Sequence, residues 1–206
     1  MSAGGVLIVR TGTANLASVR AGLTRAGAAP ELTTDPAAVR SAERVVLPGV
    51  GAFGAAAAAL AADGLDEALR ERVAAGRPTL AVCLGLQLLA EGSAESPGVP
   101  GLTAFGGTAT RFPAGIRVPQ LGWNRVDPGP ECRLLEEGHA YFANSYRLTE
   151  APAGWAAAWS EHGTPFIAAL ERDGILACQF HPELSGGWGL ALLQRWLTAT
   201  EGGRGC

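Results

Sequence analysis

The chain has 206 residues, of which 48% are hydrophobic and 17% charged, and its formal net charge is −3 at pH 7. This length and composition predict one α/β domain over residues 1–206 with a sizeable apolar core. The weak negative charge argues against nucleic-acid binding, which needs a clustered basic face. The N-terminus lacks the basic and long apolar regions of a signal peptide, and glycine and proline break the longest uncharged run, Val45–Ala62. We therefore expect neither secretion nor a membrane span.

The predicted elements of the first half alternate between strands and helices. In chain order they are strand Val6–Arg10, helix Leu16–Ala26 with Asn15 as its N-cap, strands Glu31–Thr33 and Val45–Leu47, helices Ala52–Leu60 and Leu65–Ala75, strand Thr79–Val82 and helix Gly85–Ala90. This alternation predicts a mostly parallel sheet with helices on both faces.

The second half has a different pattern, in which short apolar runs are separated by glycine, proline and Asp-Gly turns. These runs predict antiparallel strands that continue or flank the sheet. They are Gly107–Phe112, Ala140–Phe142, Ser145–Thr149, Ala156–Trp159, Phe166–Leu170 and Ile175–Gln179, followed by a last helix at Gly187–Ala199.

The four cysteines show no CxxC spacing and no disulfide-rich density. This usage is typical of a reducing cytoplasm and argues against a metal site, so we expect no metal and no cofactor. One of them, Cys83, lies between an apolar run ending at Val82 and a helix-favouring run starting near Gly85. A sharp strand-to-helix turn presents a nucleophile at the carboxyl edge of a sheet. The helix N-terminus then favours the thiolate, which is the attacking species.

The segment QFHPE at Gln179–Glu183 supplies a base, His181, and a carboxylate, Glu183, two positions later. A single cysteine or histidine is more often structural than catalytic. The joint pattern is more specific, because the chain has only three histidines and four cysteines. The pattern predicts a Cys83–His181–Glu183 triad assembled from distant parts of the chain.

Several segments together resemble the class I glutamine amidotransferases, and more narrowly the glutaminase subunit of imidazole glycerol phosphate synthase, an enzyme of histidine biosynthesis. CLGLQLL from Cys83 and QFHPE are shared across the class, whereas PGVGAFG and LGWNRV narrow the resemblance to this subfamily. The supporting stretches are TGTANLASV (Thr11–Val19), VPQLGWN (Val118–Asn124), YFANSY (Tyr141–Tyr146) and GLALLQRW (Gly189–Trp196). The resemblance runs in order from about Val6 to Trp196.

The resemblance implies hydrolysis of glutamine to glutamate and ammonia through a glutamyl thioester on Cys83. One donor to the oxyanion is the backbone N–H of Leu84, and the resemblance adds that of Val50, which must turn toward the substrate. The substrate-binding residues that the resemblance implies are Gly49, Gly51, Gln87, Glu95, Ser145 and Tyr146. Alternatively, Tyr146 is a core aromatic residue and Glu95 a solvated surface carboxylate.

The resemblance also implies a partner, a (β/α)8-barrel cyclase subunit that uses the ammonia to make imidazole glycerol phosphate and an aminoimidazole carboxamide ribotide (AICAR). The predicted docking loop is Pro119–Asn124, and the expected interface residues are Gln120, Trp123, Asn124 and Leu184. A tryptophan on a Pro/Gly loop is a plausible interface anchor, although packing of Trp123 into the core is the alternative.

The chain departs from the family pattern at Ala81, where a glycine is usual, at Gln120 and Asn144, where histidines are usual, and at Leu184, where a basic residue is usual. Three of these four positions lie at the expected interface, so they bear on coupling to the partner more than on glutamine chemistry.

Three other interpretations remain open from the sequence. The first is another class I glutaminase, such as that of pyridoxal phosphate synthesis, which carries a GGES-type segment where this chain has PGVG. The second is a non-catalytic interaction subunit of the same fold. The third is a cysteine hydrolase or peptidase of related topology, but such an enzyme would not explain the presence of PGVGAFG and LGWN.

Overall fold

The computed structural model describes residues 5–11 and 15–203. Gly12–Ala14 of the predicted Thr11–Val19 match and the last cysteine, Cys206, lie outside the described residues. The strands are β1 (Gly5–Val9), β2 (Ala29–Thr33), β3 (Arg44–Gly49), β4 (Thr79–Cys83), β5 (Gly92–Ser93), β6 (Thr108–Arg111), β7 (Gln120–Pro128), β8 (Gly138–Asn144), β9 (Tyr146–Arg147), β10 (Ala156–Glu161), β11 (Pro165–Arg172) and β12 (Ile175–Cys178). The α-helices are α1 (Leu16–Arg25), α2 (Pro36–Ser41), α3 (Phe53–Ala62), α4 (Leu65–Ala74), α5 (Leu84–Leu89) and α6 (Gly186–Ala199), and 3₁₀ turns span Pro182–Leu184 and Glu201–Gly203. Within the described ranges, no helix is long and apolar enough to cross a membrane.

Nine of the described strands form one mixed sheet in the order β2-β1-β3-β4-β12-β11-β10-β7-β8. The β2, β1, β3, β4 and β12 ladder is parallel, and the strands from β12 to β8 pair antiparallel. A second sheet pairs β5, β6 and β9. The predicted α/β class, with a mostly parallel first half and an antiparallel second half, is therefore confirmed.

The central parallel strands β3, β4 and β12 are buried along their whole length because both faces of this part of the sheet are covered. In β3, Val45 and Leu47 belong to one apolar cluster and Val46 to the other, as alternating side chains on a strand require. Helices α3, α4 and α5 contribute to the first cluster, whereas α1 and α6 contribute Val19 and Trp196 to the second. This two-sided packing fixes the parallel strands and the residues at their ends.

Local capping explains where two helices begin. The predicted N-cap Asn15 accepts a hydrogen bond from the backbone N–H of Ser18 at 3.4 Å. The sequence analysis missed α2, where the Asp35 side chain accepts from the N–H of Ala37 at 2.8 Å and proline occupies the first turn. An Asp-Pro start is a recognisable helix signal, but the helix that follows it is only six residues long.

Two predictions in the second half are wrong in detail. The segment predicted as a docking loop, Pro119–Asn124, forms the start of strand β7 from Gln120 onward, and Gln120–Val126 pairs residue by residue with Gly138–Asn144 of β8. The predicted strand Ser145–Thr149 shrinks to the two residues of β9. Strand pairing between distant segments decides both cases, and local glycine and proline content does not reveal it.

Candidate active site

The turn between β4 and α5 holds Cys83 in an uncommon backbone conformation, with φ 54° and ψ −108°. For a residue other than glycine a positive φ is strained, and such strain occurs at functional sites. Close packing against β3 shapes this turn, because a Cβ at Gly85 would overlap the carbonyl oxygen of Leu47 and one at Gly49 would lie 2.7 Å from the Leu84 Cβ. These two glycines therefore allow the turn at Cys83 to form.

Ala81, the departure two residues before Cys83, causes no conflict in this turn. Its methyl group is fully buried in the apolar cluster on one face of the sheet. Its strand neighbours in the register are Leu47 of β3 and Ala177 of β12. The extra methyl group therefore fills core space below the turn.

Three adjacent parallel strands, β3, β4 and β12, bring the predicted reactive residues to the same edge of the sheet. Their carboxyl ends lead to Val50, Cys83 and His181 respectively. The backbone N–H of His181 donates to the carbonyl oxygen of Tyr141 at 2.9 Å, which ties this segment to β8. Open α/β sheets bind ligands at this edge.

The imidazole of His181 and the carboxylate of Glu183 form a buried pair, with 2.9 Å between Nδ1 and Oε1 and side chains 8% and 4% exposed. Burial disfavours a charged imidazole. Hydrogen bonds from the ring to Cys83 and Glu183, and attraction to the negative charges of these two side chains, outweigh this effect. Together they raise the pKa of His181 to about 10. Cys83 and Glu183 thus stabilise the protonated form of the imidazole.

Helix α1 supports the backbone of Glu183, which the sequence analysis did not foresee. A Cβ at Gly22 would lie 2.7 Å from the Cβ of Glu183, so the helix and the 3₁₀ turn are in very close contact. The Arg25 guanidinium also donates to the Glu183 carbonyl oxygen at 3.2 Å. A glycine within a helix is the signal that could have indicated this contact.

A chain of amides connects the cysteine to the wall of the cleft. The fully buried Gln179 places its Nε2 at 3.8 Å from the Cys83 Sγ. Gln87 donates from its own Nε2 to the Gln179 Oε1 at 3.0 Å and to the Tyr146 carbonyl oxygen at 3.1 Å. Because an amide nitrogen has two hydrogens, both donors of Gln87 are used, and its oxygen is the atom left for a ligand.

A cleft of about 300 Å³ opens beside the cysteine. Its lining contains most of the residues predicted for the site, together with Pro119, Ala143 and Asn144, which the site prediction did not include. The lining residues are Val50, Gly51, Cys83, Leu84, Gln87, Glu95, Pro119, Ala143, Asn144, Ser145, Tyr146 and His181. Gly49 and Glu183 are not part of the lining, but each contacts a lining residue: Gly49 packs against Leu84, and Glu183 pairs with His181. Pro119 belongs to the predicted docking loop and Ala143 to the supporting stretch Tyr141–Tyr146, but the sequence analysis placed neither in the cleft; pairing of β7 with β8 brings them there.

The predicted interface residues divide into exposed and buried ones. Trp123 and Leu184 are 58% and 42% exposed, and Leu121, which the prediction omitted, is 69% exposed. Gln120 is only 4% exposed in the isolated chain, and its place at the interface stays a prediction. Asn124 is partly buried and donates to the Glu161 carbonyl oxygen at 2.7 Å.

The packing alternative for Trp123 does not describe its environment, since more than half of the side chain is exposed. Its ring meets Tyr141 edge-on at 6.3 Å between centroids. Leu121, Trp123 and Leu184 are large hydrophobic residues left at the surface, and we call them the apolar patch. Leu121 and Trp123 lie on β7, and the Trp123 ring would be 3.5 Å from a Cβ at Gly186, two residues after Leu184.

A larger cleft, about 710 Å³, lies elsewhere, between residues 130–134 and the end of α6. Its buried acid, Glu171, accepts hydrogen bonds from the backbone N–H groups of Arg133, Leu134 and Leu135. These bonds use the carboxylate to hold a loop. Burial raises the pKa of the Cys132 thiol in the same lining to about 11, so this thiol stays protonated at neutral pH. Among the described residues, no cluster of three His, Cys, Asp or Glu side chains could hold a metal ion.

Comparison with known proteins identifies the family of the chain. Residues 29–198 match the family model described as glutamine amidotransferase class-I, so the chain belongs to the class I glutamine amidotransferases. It is 43% identical to the imidazole glycerol phosphate synthase subunit HisH of Symbiobacterium thermophilum over 196 residues, 93% of this chain and 92% of that one. The HisH subunit of Methanothermobacter thermautotrophicus is 40% identical over 93% of this chain and 97% of that one. Within the class, the chain therefore belongs to the HisH family.

Solved structures show the same fold. A crystal structure of a glutamine amidotransferase superposes with a TM-score of 0.76 at 19% identity, covering 95% of this chain and 99% of that one. A chain in the structure of PurLQS from Thermotoga maritima superposes with a TM-score of 0.70 at 15% identity, covering 95% of this chain and 97% of that one. At these identities the likeness concerns the fold alone.

Proposed function

We propose that this chain hydrolyses the side-chain amide of glutamine with a Cys83–His181–Glu183 triad and passes the ammonia to the cyclase subunit of imidazole glycerol phosphate synthase. The observation that carries the proposal is the strained Cys83 turn beside the buried His181–Glu183 pair, within one cleft. Membership in the HisH family supports the same chemistry. In this proposal residues 1–206 form a single glutaminase domain that works in the cytoplasm.

The first half of the reaction forms a thioester. The Cys83 thiolate attacks the amide carbonyl carbon, and the carbonyl oxygen becomes negatively charged. When the C–N bond breaks, His181 gives its proton to the leaving nitrogen, and ammonia departs. Because its pKa is raised to about 10, His181 holds that proton at neutral pH until the leaving nitrogen takes it.

The second half of the reaction releases glutamate. The now neutral His181 takes a proton from water as the water oxygen attacks the thioester carbonyl carbon. The C–S bond then breaks, and Cys83 leaves as the thiolate beside the protonated imidazole. Glu183 does not exchange protons with the substrate; it orients the ring and stabilises its charged form.

Backbone N–H groups stabilise the oxyanion in both halves. In this proposal Leu84 supplies one donor from the start of α5, and Val50 supplies the other from the glycine-flanked segment after β3. Loss of one such donor costs roughly 3–4 kcal/mol in comparable enzymes. Gly51 has a φ of 95°, a conformation that glycine adopts without strain, which supports backbone movement at Val50.

Charge and hydrogen bonding select the substrate. The carboxylate of Glu95 is suited to the α-ammonium group of glutamine, and the free oxygen of Gln87 accepts a further N–H. Ser145 and Tyr146 border the cleft close to Cys83 and contribute main-chain contacts. We prefer this assignment to a structural role for Glu95 and Tyr146, because Gln87, Glu95, Ser145 and Tyr146 all line the same cleft.

Ammonia must reach an acceptor before water protonates it, so the glutaminase needs a docked partner. The named relatives are subunits of imidazole glycerol phosphate synthase. The apolar patch supports docking of a (β/α)8-barrel cyclase, because Trp123 and Leu121 are large, exposed and close to the residues that border the cleft. Leu184, in place of a basic residue, would make this contact apolar.

The test is copurification of the chain with a candidate cyclase, followed by synthesis of imidazole glycerol phosphate from glutamine. We expect a complex and glutamine-dependent product. A complex that makes product from added ammonia but not from glutamine would instead support a non-catalytic interaction subunit.

A further inference from the structure

A distant loop caps the start of α3. The first N–H groups of a helix have no partner within the helix, and a polar N-cap side chain usually supplies one. Ala52 occupies the N-cap position and makes no such bond. Instead, the N–H of Phe53 donates to the Glu95 Oε2 at 2.7 Å, and the N–H of Gly54 donates to the Ser96 Oγ at 3.0 Å.

The last glycine of PGVGAFG permits this arrangement. A Cβ at Gly54 would lie 2.9 Å from the Ser96 Oγ and 3.2 Å from the Ser96 Cβ. Any larger residue would therefore push the hydroxyl away from the helix. This steric requirement explains why a glycine is needed at position 54, which the proposed oxyanion role of the segment does not explain.

The capping loop is itself held in place. The N–H of Glu95 donates to the Ser93 Oγ at 3.2 Å, and the N–H of Ser96 donates to the Ser93 carbonyl oxygen at 3.0 Å. Ser93 is buried and pairs with Ala109 in the β5–β6 ladder. The loop therefore joins the start of α3 to the second sheet.

The joined element lies next to the proposed oxyanion segment. Strand β3 ends at Gly49 and α3 begins at Phe53, so only Val50, Gly51 and Ala52 lie between two fixed points. Glu95 also lines the cleft together with Val50 and Gly51. One carboxylate thus contacts the helix start and borders the space where the substrate binds.

We propose that Glu95 and Ser96 form a clamp that positions the Val50–Gly51 segment, and that glutamine strengthens this clamp when its α-ammonium group binds Glu95. The inference rests on the proposed glutaminase function. Ser96 is a positioning residue, since it is absent from the cleft lining and acts through the N–H of Gly54. Coupling of this kind is reciprocal: a well-placed segment also favours substrate binding.

The first test is Ser96→Ala in the full chain, assayed in complex with the cyclase. Loss of one net hydrogen bond predicts a kcat for glutamine hydrolysis lowered about fivefold, and the reciprocal coupling predicts that KM for glutamine rises as well. The matched control is Ser41→Ala, which also deletes a hydroxyl bonded to the backbone, at Ala37 of α2. An unchanged kcat in Ser96→Ala would overturn the clamp, as would an equal loss in the control.

A double substitution separates the clamp from general damage. Gly54→Ala should lower kcat about as much as Ser96→Ala, because its methyl group displaces the hydroxyl. The combination should lose little more than either single variant, since the two changes break the same contact. Losses that multiply would show independent effects and contradict the proposal.

Amide hydrogen exchange gives a readout besides activity. With Cys83→Ser to prevent turnover, added glutamine should slow exchange in a peptide covering residues 49–54, and Glu95→Gln should weaken this protection. Equal protection in both backgrounds would refute the coupling. If the unsubstituted complex does not hydrolyse glutamine at all, the proposed function fails; normal hydrolysis with a fully active Ser96→Ala variant refutes only the clamp.

Discussion

The parallel and antiparallel halves of the main sheet position different parts of the candidate site. The parallel strands β3, β4 and β12 are buried on both faces and end at the oxyanion segment, the cysteine and the histidine. The antiparallel pair β7–β8 borders the cleft with Ala143 and Asn144, and its other residues include the exposed Leu121 and Trp123. Under the proposed function, the chemistry lies where packing leaves least freedom, and the partner docks where a face remains open. Of the four departures from the family pattern, Gln120 and Asn144 lie on β7 and β8, whereas Ala81 lies on β4 and Leu184 in the 3₁₀ turn after β12.

The largest expected effect tests whether the parallel half carries the chemistry. Cys83→Ser should lower glutamine-dependent synthesis by at least about 10³-fold, because a serine in place of the nucleophile lacks a comparable activated form. Synthesis from added ammonia should remain, since the acceptor reaction belongs to the cyclase. Retention of most glutamine-driven activity would remove Cys83 from the mechanism.

Selective labelling sharpens this result. An electrophilic glutamine analogue should modify Cys83 and spare Cys132 and Cys178, as read by mass spectrometry. Burial, the largest cause, raises the pKa of Cys132 to about 11 and that of Cys178 well above its usual value, so both remain thiols at neutral pH. Modification of Cys178 ahead of Cys83 would contradict the assignment.

The next effect concerns the base. His181→Asn should reduce glutamine turnover by roughly 10²-fold or more, in line with the usual contribution of a proton-transferring group. Glu183→Gln should reduce it less, because the amide can still orient the ring. Steady-state kinetics of both variants in the complex would rank them, and a larger loss from Glu183→Gln would reverse the proposed roles.

An effect of similar size, roughly 100-fold, concerns the dependence of glutamine turnover on the cyclase through the proposed oxyanion segment. We expect the isolated chain to be nearly inactive, because the resemblance implies that Val50 turns toward the substrate only when the partner and its ligand bind. An active population of about 1% would lower turnover roughly 100-fold, and a partner that prefers the active form restores it. Full turnover by the isolated chain, unchanged on adding the cyclase and its substrate, would exclude such gating.

Gly51→Val probes the same segment. A β-branched residue at a φ of 95° is strained, and the substitution should reduce activation by the cyclase more than it reduces thermal stability. Gly187→Ala is a control of the same kind at a helical glycine, where a Cβ would meet no atom within 4 Å. A variant that is activated normally would show that this φ is not needed for the active form.

A smaller effect tests the open face of the antiparallel half. Trp123→Ala should weaken cyclase binding about 30-fold, the equivalent of about 2 kcal/mol for an interface hot spot. Thermal stability of the isolated chain should change little, because the side chain is 58% exposed. Leu32→Ala, at an exposed leucine of β2, is the control and should bind normally. Equal affinities for the Trp123→Ala and unsubstituted chains would move the docking surface elsewhere.

The last expected effect is a pH dependence of stability. Burial lowers the pKa of His181, whereas Cys83 and Glu183 raise it to a net value of about 10, above its ordinary 6.5. The charged ring therefore contributes stability that is complete below pH 6.5 and is lost as the pH rises toward about 10. The difference in unfolding free energy between the unsubstituted chain and His181→Asn should fall over this range, as measured by denaturant titration. A difference that grows with pH would contradict the sign.

Sequence patterns marked the segments that meet at the carboxyl ends of the parallel strands. The apolar run before Cys83, the glycines around Val50 and the spacing of His181 and Glu183 are local features, and the structure brings the segments they mark to one edge of the sheet. Strand order makes this possible, since the three segments follow adjacent parallel strands.

Tertiary structure decided the features that depend on contacts between distant segments. Gln120 looked like a loop residue and is buried in β7, because pairing with β8 overrides a local Pro/Gly signal. The need for glycine at positions 22 and 54 cannot be predicted from the sequence, because it arises from close packing against Glu183 and Ser96. Hydrophobic periodicity and motif spacing describe neighbours along the chain, whereas strand partners, close helix contacts and caps supplied from another loop are determined only when the whole chain folds.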